Sequence, residues 1–136
     1  MASQIRTADC NAREAGRRLR SARAYLEAAE LILVDDREEF AGVAAGNAVL
    51  AGIAATDAIC CKGLRKCFRG DDHRQAAELL ETASHDGPKL KKVLLRLLDL
   101  KDAAHYGFGD FSKANARKAV KLARELVSSA DVLFQR

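Results

Sequence analysis

Apolar positions recur along this chain at steps of three and four residues, in five separate stretches. Ala15, Leu19, Ala22, Leu26, Ala29 and Leu33 follow such steps and predict a first helix from about Asn11 to Leu33. The acidic run Asp35, Asp36, Glu38 and Glu39 then breaks the pattern, and its carboxylates suit the positive N-terminus of a following helix. That second helix is predicted over about Glu38 to Phe68. Gly70 is its αL stop, and Lys62, Arg65, Lys66 and Arg69 gather near its negative end. A third helix, capped by Asp71 or Asp72, carries Ala76, Ala77, Leu79, Leu80 and Ala83 and stops near Ser84. His85-Asp86-Gly87-Pro88 reads as a loop, with Pro88 opening a fourth helix that bears Leu90, Val93, Leu94, Leu97, Leu98 and Leu100. Gly107 and Gly109 end it. Ser112 is placed to cap a fifth helix, whose apolar face runs from Ala116 to Phe134.

The second helix contains a stretch long enough to cross a bilayer. Residues 40–61 hold only Asn47, Thr56 and Asp57 as polar side chains. Its content is mostly alanine and glycine around an aspartate, and alanine buries too little area to offset a charge in lipid. The expectation is a central helix packed on several sides, with no membrane. Gly42, Ala45, Ala48, Gly52 and Ala55 form a stripe of small residues along which another backbone can approach.

Composition agrees with an all-α, antiparallel bundle of about five helices. The chain has 136 residues, 26 of them alanine, a single proline and 5% aromatics, which is too few β-branched and aromatic residues for a sandwich or barrel. One domain over residues 11–136 is expected, preceded by a flexible basic segment over 1–10. Charge adds a location. Six arginines against Asp9 and Glu14 put the whole net +4 into residues 1–23, and the other 17 basic and 17 acidic residues cancel. A basic N-terminus can meet an anionic partner such as nucleic acid. Cys10, Cys60, Cys61 and Cys67 form no CxxC pair, and with no apolar leader segment they read as four thiols in a cytoplasmic protein. Cys60, Cys67 and His73 lack a fourth ligand at a metal-site spacing, so no metal or other cofactor is expected.

Three polar groups need an explanation. Asp57 sits inside the apolar helix and requires water, a donor or a cation; Lys62 and Arg65 follow it on the same helix. Lys101 and His105 are i and i+4 and share a helix face, with Asp102 and Tyr106 beside them. A cation beside an imidazole suits phosphate and keeps the ring neutral, ready to take a proton. Asp72 followed by His73 reads first as helix capping.

Three passages together resemble the HEPN family (higher eukaryotes and prokaryotes nucleotide-binding domain). They are ARAYLEAAELIL, the run GIAATDAICCKGLRKCFRG with DDHRQAAELL after it, and LLRLLDLKDAAHYGFGDFSKANARKAVKLARELV. The resemblance implies a helical bundle that pairs as a homodimer. In many members it also implies metal-independent cleavage of RNA, often by toxins of toxin–antitoxin pairs, through an Arg, a polar residue and a His. Here Asp102 and His105 take the polar and His positions, while the Arg position falls on Lys101 with three residues before His105. Arg96 is the nearest arginine upstream. Lysine cannot grip phosphate in bidentate fashion.

The expected function is therefore a HEPN-like protein that binds nucleotide or nucleic acid, non-catalytic or weakly active, within a toxin–antitoxin pair. Asp57, Lys62, Arg65, His73 and Arg96 are its candidate binding residues. A nucleotidyltransferase-like antitoxin is the candidate protein partner. The alternative is a metal-independent ribonuclease using His105, Lys101, Asp102 and Tyr106. A third reading is a structural interaction module.

Overall fold

The computed structural model describes residues 5–106 and 111–136, with side chains over 5–102 and 111–136. Five helices form the bundle: α1 (Ala12–Leu33), α2 (Glu39–Leu64), α3 (His73–Ala83), α4 (Gly87–Tyr106) and α5 (Lys113–Gln135). Their ends follow local chemistry. Asn11 and Glu14 close a reciprocal capping box on α1. Asp72 accepts from the Arg74 amide at the start of α3, and Ser112 from the Asn115 amide at the start of α5. Helix α4 begins at Gly87, one residue before the expected proline. A Cβ at Gly87 would run into the backbone carbonyls of Leu80 and Glu81, so the α3–α4 corner is too tight for any side chain there.

Helix α2 is the shaft of the molecule. Fourteen of its residues are buried, among them Ala44, Ala48, Ala51, Ala54, Ala55 and Ala58. It has the length and apolarity of a membrane span, yet 67% of the apolar window is buried against the bundle. Leu80, Leu94, Leu97, Val120 and Leu126 supply the volume that its alanines lack. The small residues admit close neighbours: a Cβ on Gly52 would overlap Leu97, and one on Gly63 would overlap the Ala83 carbonyl of α3.

Two expectations fail at the end where α1 begins and α2 stops. Helix α2 does not reach Phe68. It ends at Leu64 because Arg65 takes a left-handed conformation with φ 58°, and its amide caps the Cys61 carbonyl. The chain then extends as β2 (Lys66–Phe68), which pairs antiparallel with β1 (Thr7–Asp9) in the register Thr7–Phe68, Ala8–Cys67, Asp9–Lys66. Residues 7–10 are thus not a flexible tail. The Cys10 amide donates to the Arg65 carbonyl and the Arg69 amide to the Arg6 carbonyl, which lengthens the ladder at both ends.

Candidate functional site

Beside this two-stranded ribbon, α1, α2 and β2 enclose a cleft of about 380 Å³. Asp57 lies at its base. It is held by Arg18 of α1, whose Nε and Nη2 donate to the same carboxylate oxygen at 3.1 and 2.9 Å. The pairing is geometric: Arg18 stands two turns into α1 and Asp57 two turns before the end of antiparallel α2, so the residues meet across the helix–helix contact. The Asp57 side chain remains 20% exposed, on the cleft side. Burial pushes its carboxyl above the usual 3.8, outweighing the opposite pull of Arg18, His73 and Arg69.

Arg17, Arg69 and Glu14 stand around the opening, and Phe68 contributes an apolar wall. Phe68 is itself packed edge-on against His73, with ring centroids 5.9 Å apart. Three arginines against two carboxylates leave the cleft with a cationic excess. Three cysteines share it as well. Cys10 and Cys61 are joined as a disulfide that ties the ribbon to α2, which overturns the expectation of four thiols. The cysteine argument for a reducing compartment falls away with it. Cys67 lies half-buried in the cleft with its thiol raised by desolvation. Cys60 is buried on α2, its thiol pushed up to about 12 by burial and by Asp57 and Cys67. Among the described residues, no three His, Cys, Asp or Glu side chains come together as a metal site.

Of the binding residues expected from sequence, the structure brings Asp57 and His73 to this region. It places the others differently. Lys62 does not reach Asp57; its ammonium sits 5.1 Å from the Phe134 ring centroid of α5. Arg65 is spent on the helix stop, and its side chain is exposed. Arg96 lies on another face, between α4 and α5, in an open depression of about 520 Å³. The second cluster divides. Asp102 accepts from Arg74 of α3 at 2.8 Å, and the same guanidinium donates to Asp99 at 2.7 Å. Lys101 is half-buried on the last turns of α4. The side chains of His105 and Tyr106 lie outside the described residues.

Arg17, Arg18 and Arg69 are the site residues that sequence reasoning missed. The arginine excess over residues 1–23 pointed to the first two, but only the fold shows that Arg18 holds Asp57 and that Arg17 lines the same cleft. Compared with known protein families and with curated proteins, the chain matches no family model and no such protein.

Proposed function

We propose that this protein binds the phosphate of a nucleotide or nucleic acid in the cleft beside the β1–β2 ribbon. The observation that supports it is the convergence of Arg17, Arg18 and Arg69 on one concave site next to a half-screened aspartate. Guanidinium groups offer phosphate a planar fork of donors that lysine lacks. Asp57 has a positioning role: it takes two donors of Arg18, which itself lines the cleft. Arg17 and Arg69 are exposed and in no ion pair among the described residues.

On the same reading the protein is a HEPN-like dimer, non-catalytic or weakly active, in a toxin–antitoxin pair. The cleft needs no proton-transfer group to hold an anion, so binding stands apart from any cleavage of RNA. The test is a titration of the intact protein with a fluorescent adenine nucleotide at low salt, with light scattering on the same sample. Saturable binding that weakens with added salt is expected, together with a roughly tenfold or larger loss in Arg17→Ala/Arg69→Ala. Equal binding by the double variant removes the cleft from consideration, and no binding by wild type ends the reading.

A further inference from the structure

The balance of charge over residues 24–136 hides a division. Residues 24–86 carry six basic and twelve acidic side chains, whereas residues 87–136 carry eleven basic and five acidic ones. The second group folds into α4 and α5, which run antiparallel side by side. Two open depressions follow their seam, of about 400 and 520 Å³, and share Lys121 and Glu125. Lys89 and Arg124 line the first, Arg96 and Lys118 the second. These side chains are exposed, and Lys89, Arg96, Lys118 and Lys121 are in no ion pair among the described residues. The acid beside Arg96, Asp99, is already taken by Arg74 from α3.

Folding accounts for part of this arrangement, through Glu125 at i+4 from Lys121 and the Arg124–Glu30 ion pair, but not for the rest. Lys118, Lys121 and Arg124 repeat at i, i+3 and i+6 on one helix, where like charges repel. The seam from Lys89 to Leu100 is about 16 Å long at the helical rise of about 1.5 Å per residue. One strand of a duplex presents about five phosphates over that length. Five cations line the same length, four of them in no ion pair among the described residues and Arg124 shared with Glu30, with Glu125 between them. Leu90, Leu100 and Leu122 give the floor an apolar strip. No aromatic side chain is among the lining residues, so the groove has nothing on which bases can stack.

We infer that the α4–α5 groove is a track for the sugar-phosphate backbone of a nucleic-acid strand, held by charge and without reading of bases. This surface is separate from the ribbon cleft and does not depend on phosphate binding there.

Binding of labelled single-stranded and duplex oligonucleotides to the full chain, measured across a salt series, tests it. Each neutralised phosphate contact changes the slope of log K against log salt by about 0.7 on single strands and about 0.9 on duplex. Lys118→Ala/Lys121→Ala is therefore expected to flatten the slope by about 1.4 or about 1.8, on whichever form binds. The same flattening is expected in an Arg17→Ala/Arg69→Ala background, which separates the groove from the cleft. Circular dichroism establishes that each variant is folded, and Lys89→Ala/Arg96→Ala repeats the test should the first pair fail to fold. An unchanged slope on both forms overturns the inference. So does polyglutamate of equal charge competing as well as the oligonucleotide, because the groove would then be a general cationic surface.

Discussion

Asp57 is the residue at which burial and pairing oppose each other most directly. Arg18 supplies two hydrogen bonds, yet desolvation wins and the carboxyl titrates above its ordinary 3.8. The folded protein then holds the Asp57 proton more tightly than the unfolded chain does. Stability from this group is present below the unfolded value and is lost as pH rises through the folded one. Asp57→Asn lacks that loss. Thermal unfolding of both proteins at about pH 4 and about pH 7 should move the difference in melting temperature in favour of the variant at the higher pH; a shift the other way means that Arg18 dominates. Gly63 offers a second test, because helix propensity and packing give opposite signs. Alanine gains about 1 kcal/mol over glycine in a helix interior. A Cβ here meets the Ala83 backbone, which cannot rotate away, and overpacking costs about 1–3 kcal/mol. Gly63→Ala should therefore lower the denaturant midpoint. A rise would mean that α3 moves aside.

At the scale of elements, the ribbon and its disulfide set the end of the α1–α2 pair. Thiol titration in denaturant without reductant should count two groups, Cys60 and Cys67, and four after reduction. In the folded protein Cys67 should alkylate before Cys60, which is buried. The disulfide closes a loop with a sequence separation of 51 residues. A chain-entropy argument assigns such a loop roughly 4 kcal/mol, with strain and residual structure reducing it. Reduction should thus lower unfolding stability by about 2–4 kcal/mol, read from denaturant curves with and without reductant.

The helices were legible in the sequence because α1, α3, α4 and α5 carry apolar residues at helical steps and α2 an almost unbroken apolar run, with Asp72, Pro88 and Ser112 marking three of the starts. The ribbon was not. Its strands are three residues long, and the cations around Lys66-Cys67-Phe68 read equally well as the last turns of α2. The disulfide was hidden for another reason: cysteine spacing does not specify partners. That Asp57 needed water, a donor or a cation was plain; that Arg18, 39 positions earlier, meets the need required the antiparallel register of α1 and α2. The α4–α5 groove was within reach of simple counting, had the charges been divided at residue 87 and not at residue 23.

For the whole molecule, the core is asymmetric in size. Helix α2 contributes alanines, and its neighbours contribute leucines. Substitutions on the two sides should then fail by different routes. Ala55→Leu inserts volume at a position with no exposed surface and should cost about 1–3 kcal/mol. Leu97→Ala leaves a cavity and should cost about 2–5 kcal/mol. Both proteins should still unfold in one cooperative step, since the principal cluster of buried residues draws on all five helices. Urea denaturation followed by fluorescence-free far-UV dichroism and by proteolysis should give coincident transitions; separated ones would mean that a part of the bundle melts alone.

The α1–α2 pair also separates charge along its length. Arg6, Arg13, Arg17, Lys66 and Arg69 outnumber Asp9 and Glu14 where α1 starts, and Asp35, Asp36, Glu38 and Glu39 sit about 33 Å away where it ends, two of them offset by Arg37 and Lys113. The peptide dipole of α1 points the same way, positive at the ribbon, and α2 runs opposite. The side-chain charges and α1 therefore add to a permanent electric moment that the reversed helix offsets only in part. In a field such a body turns before it travels. Near a polyanion that moment adds to the pull of the cationic α4–α5 face, and raising the salt erodes both at a distance before it weakens any contact.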